Sequence, residues 1–344
     1  MTLPIDTSYP PMEAHSALAI PMGSDWEYEP KWDGFRCLAF RDGAEVALMS
    51  KSGQALGRYF PEVTEALGNL KAAKFVLDGE IIVSIDGKLS FDDLLQRIHP
   101  AASRVKKLSR ETPATFVVFD LLVDSKGKAW IDKPLAERRS ALEAFAAKGF
   151  TDPRTIALSP ATPDLNIAKG WFHKMGGGLD GIIAKLTDLP YQSGERSGML
   201  KIKNLRTADC VVGGFRYATK GRQVGSLLLG LYNREGLLDH VGFTSGIAAA
   251  ERARLTGKLE ALKQPPGFTG KAPGGPSRWS TDRSTAWEPL ATKLVVEVQY
   301  DHFTGGRFRH GTRLLRWRED KRPEQCRMEQ VERDAISPLN LLSA

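Results

Sequence analysis

A lysine with an acid on each side carries the clearest chemical signal in this sequence. Lys31 lies in the segment YEPKWDGFR, residues 28–36, with Glu29 and Asp33 as its acidic neighbours. A lysine attacks an electrophile only as the neutral amine, so a nucleophilic lysine must lose its proton or have a lowered pKa. The pattern makes Lys31 a candidate nucleophile, although the same spacing also describes a solvated surface lysine.

The residues around Lys31 predict a strand, a turn and a second strand. Tyr28 and Trp32 are the large apolar residues of the first strand. Pro30 cannot donate a hydrogen bond to a neighbouring strand, which suits an edge strand or a bulge. The Asp-Gly pair that follows predicts a turn, because glycine accepts backbone angles that other residues resist. We therefore expect the lysine at the mouth of a cleft, before a strand resumes at residues 38–40.

Two further predicted strands are followed or interrupted by charged residues. A strand over Glu45–Met49 leads into the polar turn Ser-Lys-Ser-Gly, which presents Lys51. A strand over residues 75–85 is interrupted by Asp-Gly-Glu at 78–80, which reads as a turn by default and presents Glu80. Lys51 and Glu80 are therefore candidate functional residues.

The segment Thr115–Val123 predicts a buried strand that contains one acid. Phe119 in such a strand is by default a core residue. Asp120 must be paired or hydrogen-bonded if it is buried, so it is either a site residue or a structural staple.

More charged positions follow towards the middle of the chain. Asp180 precedes a predicted strand that carries Lys185, and Arg196 lies in a polar loop. In the next predicted strand, residues 199–203, Lys201 and Lys203 point to the same face because side chains alternate along a strand.

The length of 344 residues suggests two domains, and the composition changes after residue 204. We expect a first domain over residues 1–205 and a second over 206–344. The second half predicts one helix over Ala248–Leu262 and short strands over Cys210–Arg216, Ser226–Tyr232, Leu238–Phe243 and Lys293–Tyr300. Short strands with one helix are typical of a small barrel of the OB kind, which often binds nucleic acid.

The excess of positive charge favours binding to a polyanion. The formal net charge is +7 and the pI about 9.2. Residues 307–321 are strongly basic, with Phe308 and Trp317 between the cations, which favours contact with phosphate or DNA over a merely solvated face.

Other compositional features exclude several classes of protein. The three cysteines lie far apart and the six histidines show no metal-ligand spacing, which argues against a disulfide framework or a zinc site and fits a reducing compartment. Residues 1–11 lack the basic start and apolar run of a signal peptide, and no stretch approaches a membrane span. We expect a soluble protein inside the cell.

Taken in order, the charged positions resemble the nucleotidyltransferase motifs of ATP-dependent DNA ligases. The motifs are Lys31-x-Asp33-Gly34-x-Arg36, Ser50-Lys51-x-Gly53, Asp78-Gly79-Glu80, Phe119-Asp120, Asp180-Gly181-x-x-x-Lys185, Lys201-x-Lys203 and Arg318-x-Asp320-Lys321. The sequence is most similar to the short bacterial ligase C type and to the ligase domain of ligase D, over residues 11–328. The resemblance implies an α+β chain, with an ATP-grasp-like nucleotidyltransferase (adenylation) domain followed by an OB-fold β-barrel.

The resemblance also implies a reaction in three transfers and a set of nucleotide contacts. Lys31 would attack the α-phosphate of ATP to form lysyl-AMP. The AMP would pass to the 5′-phosphate of a nick, and the 3′-hydroxyl would then displace it. Glu29 would accept the adenine amino group, Phe119 would stack on the purine, and Arg36 and Glu80 would contact the ribose or a metal-bound water.

Cations and a divalent metal would stabilise the charge that builds up on phosphorus. The resemblance places around the phosphates of ATP or of the nick the cations Lys51, Lys185, Lys201, Lys203, Arg318 and Lys321. The last two would reach the β and γ phosphates when the second domain closes. The resemblance also places Arg196 near the nucleotide. Glu80 and Asp180 would hold Mg²⁺ or Mn²⁺. We further expect the nearby lysines to lower the pKa of Lys31 by like-charge repulsion.

Two positions depart from the pattern of this family. Asp180 stands where the family usually has glutamate, so its metal contact would pass through a water molecule. Met199 stands where many relatives have tryptophan.

The expected partner is nicked double-stranded DNA, with Ku or other end-joining factors in DNA repair. The protein would act as a monomer in the cytoplasm, on the bacterial nucleoid. Three alternatives stay open: guanylyl transfer as in mRNA capping enzymes, RNA ligation, and a catalytically silent nucleic-acid-binding module. Glu29 favours adenine over guanine, because guanine offers a carbonyl where adenine offers an amino group.

Overall fold

The computed structural model describes residues 1–174, 178–274, 286–332 and 336–342. The chain divides into two compact units, one formed by residues 1–204 with 335–344, the other by residues 205–334. The expected second domain of residues 206–344 needs correction at its C-terminal end. Residues 336–342 belong to the first unit, because Leu339, Leu341 and Leu342 pack on its apolar core.

A four-stranded sheet of the first unit carries the Lys31 segment. Its strands in spatial order are β1 (His15–Ala17), β10 (Met199–Lys203), β9 (Gly181–Leu186) and β2 (Trp26–Lys31). The pair β1 and β10 is parallel, and the others are antiparallel. Strand β2 is an edge strand, which confirms the prediction from Pro30, and Lys31 lies opposite Gly181.

A second sheet forms most of the core of the first unit. Its strands in spatial order are β4 (Glu45–Ser50), β3 (Phe35–Asp42), β5 (Lys74–Ile85), β7 (Ala114–Val123) and β8 (Ile156–Leu158), and β6 (Lys88–Leu89) pairs with β5. The interruption expected at residues 78–80 is wrong, since β5 runs through it without a break. The irregularity is a shift in the register with β7 between Asp78 and Gly79.

The described residues of the first unit also form five α-helices. They are α1 (Pro61–Asn69), α2 (Phe91–Gln96), α3 (Ala102–Glu111), α4 (Leu135–Gly149) and α5 (Leu165–Lys174). Helix α2 begins after Ser90, whose hydroxyl oxygen accepts the backbone N–H of Asp93 as an N-cap. No helix among the described residues is both long and apolar enough to cross a membrane.

A six-stranded antiparallel sheet forms the centre of the second unit. Its strands in spatial order are β13 (Leu238–Thr244), β12 (Val224–Tyr232), β11 (Arg206–Tyr217), β15 (Val295–Tyr300) and β18 (Arg313–Trp317), and β14 (Glu288–Pro289) pairs with β11. Strands β16 (Phe303–Thr304) and β17 (Arg307–Phe308) form a small hairpin, and helix α6 spans Ala249–Glu260. The basic segment of residues 307–321 therefore contributes β18 to this sheet.

Candidate active site

A cavity of about 150 Å³ lies in the first unit where side chains of its two sheets meet. The sequence-predicted residues that line it are Glu29, Lys31, Arg36, Lys51, Glu80, Phe119, Lys185 and Lys201. Residues separated by most of the first domain in sequence thus share one pocket, because β2, β9 and β10 supply one wall and β3, β5 and β7 the other.

Lys31 and Asp180 form the ion pair beside this cavity. The lysine amine contacts an Asp180 carboxylate oxygen, and the backbone N–H of Asp180 donates to the Lys31 carbonyl at 3.1 Å. Gly181 follows with φ = 147°, and a Cβ there would lie 1.9 Å from the carbonyl oxygen of Ile202. Only glycine fits this close approach, which holds Asp180 next to the end of β2.

Glycine is also required just after Lys31, for a steric reason. A Cβ at Gly34 would lie 2.1 Å from the carbonyl oxygen of Ile81 in β5. The close approach of two chain segments, more than the freedom of a turn, therefore explains this residue.

The pKa of Lys31 shifts in the direction opposite to the one expected from the sequence. Burial alone would lower it, but the charge of Asp180 and its hydrogen bond, followed by Glu80 and Asp33, raise the pKa above its ordinary value. The repulsion expected at Lys31 acts on Lys201 instead: burial and then the neighbouring cations, Lys31 first, lower the pKa of Lys201.

Glu80 adds a second carboxylate to the Lys31 environment. Burial raises the pKa of Glu80 to about 7, against the opposing effect of Lys31 and Arg36. The described residues contain no group of three or more His, Cys, Asp or Glu side chains placed to hold a metal. Mg²⁺ commonly needs only one or two carboxylates, with substrate phosphates and water completing its shell, so the oxygen donors of Glu80 and Asp180 fit it.

The far end of the cavity holds an aromatic ring between charged groups. The Lys185 amine donates to the Glu29 carboxylate at 2.7 Å, and both side chains are buried. The Arg36 guanidinium and the Lys185 amine lie 4.5 and 4.8 Å from the centroid of the Phe119 ring. Phe119 is thus a buried residue that also faces the cavity.

Asp78 anchors Arg36 and was not recognised as a site residue from the sequence. Its two carboxylate oxygens accept from Arg36 Nε and Nη2, both at 2.6 Å, and one also accepts the Tyr191 hydroxyl at 2.6 Å. Asp120, the acid predicted to need a partner, forms a buried salt bridge. Arg138 Nε and Nη2 each donate to one of its two carboxylate oxygens at 2.9 Å, so Asp120 has a structural role.

Glu13 is a second residue that the sequence did not reveal. It lines the cavity, and its carboxylate pairs with Lys51 and with Arg196, each at 3.1 Å. The residue lies in the Pro-rich N-terminal segment, where no periodic pattern or motif distinguishes one acid from another.

Five predicted residues lie outside the lining of this cavity: Asp180, Arg196, Lys203, Arg318 and Lys321. Asp180 contacts Lys31, and Arg196 pairs with Glu13, which does line the cavity. Lys203 lies in β10 opposite Gly181. Arg318 and Lys321 belong to the second unit, where they donate to the two oxygens of Asp209 at 2.9 and 2.6 Å.

The site combines a lysine against an acid, two carboxylates suited to a divalent cation, and an aromatic ring beside several cations. Covalent nucleotidyl transfer would use each of these features. The comparisons with known proteins show the family of the chain. Residues 11–203 match the ATP dependent DNA ligase domain, and residues 220–321 match the ATP dependent DNA ligase C terminal region. The chain belongs to the family of ATP-dependent DNA ligases, which seal nicks through an adenylate intermediate.

Individual relatives support this membership. The chain is 43% identical over 348 residues to DNA ligase C of Mycobacterium tuberculosis, covering 97% of this chain and 96% of that protein. It is 31% identical to the multifunctional non-homologous end joining protein LigD of Mycobacterium bovis, covering 93% of this chain and 40% of that protein. A solved structure described as "DNA binding with a minimal scaffold: Structure-function analysis of Lig E DNA ligases" matches with a TM-score of 0.56 at 16% identity, covering 89% and 99% of the two chains. That structure is similar in fold, a nucleotidyltransferase domain joined to an OB-fold domain.

Proposed function

We propose that the cavity of the first unit is the AMP site of this ligase and that Lys31 is the residue that becomes adenylated. The observation that carries the proposal is the amine of Lys31 at the cavity, in contact with Asp180. Lys31 Nζ forms a bond to the α-phosphorus of ATP while the bond to pyrophosphate breaks. Because the pKa of Lys31 is raised, its ammonium group must lose a proton before the attack, and we assign Asp180 as the acceptor.

The nucleobase occupies the end of the cavity that holds Phe119. Its ring offers a stacking surface, and Glu29 accepts the adenine amino group. The Glu29–Lys185 pair supports this assignment, because the salt bridge fixes the orientation of the carboxylate. Arg36, fixed by Asp78, contacts the ribose.

Glu80 and Asp180 would hold Mg²⁺ or Mn²⁺ beside Lys31. Such a cation would supply positive charge that offsets the negative charge of the phosphate oxygens. Lys201, and Lys203 further along the same strand, add positive charge nearby. Burial, and next the charges of the neighbouring cations, lower the pKa of Lys201.

Lys51 and Arg196 bind the 5′-phosphate of the nick in the second and third transfers. The pairing of both with Glu13 supports this, because a carboxylate bridging two cations marks a position suited to an anionic oxygen. The substrate is nicked duplex DNA, and the ligase acts on the nucleoid in the cytoplasm as a monomer. The similarity to a protein named for non-homologous end joining supports a role in repair with Ku or other end-joining factors.

Mass spectrometry after incubation with ATP tests the nucleophile. The wild-type chain should gain one AMP on the peptide that contains Lys31, and GTP should give no adduct. Lys31→Ala should abolish the adduct, and Lys31→Arg should abolish it too, because guanidinium stays protonated. The same variants should fail to seal a nicked duplex with ATP and Mg²⁺ or Mn²⁺. An AMP adduct that persists on another residue would disprove the assignment.

A further inference from the structure

The C-terminal segment, residues 336–342, contains a short 3₁₀ helix that docks on the first unit. The helix spans Pro338–Leu341 and begins after Ser337. The hydroxyl of Ser337 accepts the backbone N–H of Leu339 and donates to the carbonyl of Gly87. Gly87 lies in the turn between β5 and β6, so the segment is attached to the sheet that supplies Glu80.

Three leucines of this segment complete an apolar cluster. Leu339, Leu341 and Leu342 pack against the buried side chains of Trp32, Ile82, Val117 and Leu179. Removing these leucines would expose apolar surface that the first unit otherwise keeps from water.

The cluster lies directly behind the reactive pair. Trp32 follows Lys31 in the chain, and Leu179 precedes Asp180. Trp32 is also fixed at its polar end, since its Nε1 donates to the Ser159 hydroxyl at 2.9 Å. The chain neighbours of both members of the ion pair therefore rest on one cluster, and the C-terminal segment covers it.

We propose that residues 336–342 are a positioning element of the adenylation site. The segment contacts neither ATP nor the reacting atoms. It acts through Trp32 and Leu179, which keep the amine of Lys31 and the carboxylate of Asp180 aligned for attack. A misplacement of about 1 Å at a reacting group can lower the rate about a hundredfold. A change in the packing behind Lys31 and Asp180 should therefore change the rate measurably.

The test uses full-length variants and single-turnover formation of lysyl-AMP. Leu339→Ala combined with Leu341→Ala should lower the rate at saturating ATP by about tenfold or more, since slack at the reacting pair acts on the chemical step. The ATP concentration that gives half the maximal rate should change by less than about twofold, because the segment does not contact the nucleotide. Ser337→Ala, a milder change that keeps all three leucines, should lower the same rate by roughly threefold.

Two matched controls separate positioning from general damage. Leu339→Met combined with Leu341→Met keeps apolar volume and should restore most of the rate. Leu18→Ala removes the same atoms from a first-unit leucine that is 98% exposed, and should leave the rate unchanged.

The inference rests on the proposed function, and the two fail in different ways. If the wild type forms no AMP adduct at Lys31, the proposed function is wrong. If the wild type forms it and both the double alanine variant and Ser337→Ala react at the wild-type rate, the positioning role is wrong. The positioning role is also wrong if both variants lose ATP affinity and rate in the same proportion and the double methionine variant does not restore the rate. The segment would then only stabilise the fold.

Discussion

Arg36 and Asp78 form a two-pronged salt bridge across neighbouring strands, with both N···O distances at 2.6 Å. The register places Arg36 opposite Glu80, so its side chain reaches diagonally along β5 to meet Asp78. The Arg36 side chain keeps 21% of its exposure, whereas Asp78 has none. Burial would lower the pKa of Arg36, but Asp78 outweighs it and raises that pKa.

We expect Asp78→Ala to lower the free energy of unfolding by about 3 kcal/mol, because it leaves a largely buried guanidinium without its partner. The value falls at the low end of the range for fully buried pairs since Arg36 still meets solvent. Adenylation should fall as well, because Arg36 would no longer be fixed beside Phe119. Urea denaturation provides the measurement. The control is Asp152→Ala, which breaks the exposed pair with Arg154 and should lower the free energy of unfolding far less than Asp78→Ala does. Equal losses in the two variants would contradict the structural role of Asp78.

Glu13→Gln should strengthen binding to nicked DNA. In the free protein the Glu13 carboxylate neutralises Lys51 and Arg196, and the hydrogen bond from Lys51 is the main cause of its lowered pKa. Replacing the charge leaves both cations for phosphate. Affinity measured by fluorescence anisotropy should rise at low salt, and its logarithmic salt slope should steepen by about one to two units, one for each added phosphate contact.

Glu195→Gln makes the same charge change at a nearby exposed acid and is the matched control. It should shift DNA affinity less and leave the slope close to that of the wild type. If both variants shift binding equally, the effect is one of net charge and Glu13 has no specific role at the phosphate site.

The local sequence pattern predicted the strands that carry the site residues better than it predicted which side chains contact one another in the site. Pro30 correctly indicated an edge strand, and the apolar run through Phe119 correctly indicated a buried one. The sign of the Lys31 pKa shift was wrong, because it depends on which charges fold against the amine. Asp180 raises that pKa. It is held beside Lys31 because the next residue, Gly181, packs closely against the carbonyl oxygen of Ile202, which is remote in sequence.

The residues that sequence reasoning missed owe their roles to contacts between remote segments. Glu13 meets Arg196 across 183 residues of chain, and Asp209 meets Lys321 across 112. Neither acid stands in a distinctive motif. Asp120 shows the opposite case, since its partner Arg138 lies only 18 residues away on the adjoining helix α4, and burial alone already required such a partner.

His240 should make the stability of the second unit depend on pH. Burial, and next the charge of Arg216, lower the pKa of His240 to about 4 from an ordinary value of 6.5. Below pH 6.5 the unfolded chain therefore takes up a proton that the folded chain does not. Stability is lost as the pH falls from about 6.5 to about 4, by up to about 3.5 kcal/mol at roughly 1.4 kcal/mol per pH unit.

His240→Phe removes this titration and keeps a ring to pack against Phe268, whose centroid lies 5.3 Å away. Denaturation of both proteins between pH 7 and 4 should give a shallower loss for the variant. Other groups, such as Glu27 with a pKa raised to about 7 by burial, titrate in both proteins and cancel in the comparison. Parallel curves would mean that His240 is not the group responsible.

Arg318 and Lys321 provide the test of domain closure. Both donate to Asp209 in the second unit, so each must exchange this carboxylate for phosphate oxygens if it is to bind the β and γ phosphates of ATP. Pyrophosphate leaves only in the first transfer. Arg318→Ala combined with Lys321→Ala should therefore lower lysyl-AMP formation by about a hundredfold or more, while sealing of a nick that already carries AMP is largely kept.

The two single-turnover rates are measured side by side, with Lys106→Ala and Arg110→Ala on helix α3 as a variant of equal charge loss. That control should change neither rate appreciably, since its residues lie on an exposed helix face. Asp209→Asn gives the complementary result: it releases both cations from their carboxylate, so lysyl-AMP formation should be kept or accelerated. Equal loss of adenylation and of sealing in the Arg318 and Lys321 variant would remove the argument for closure. The pair would then contribute to general DNA binding, because only a role at the leaving pyrophosphate separates the first transfer from the last.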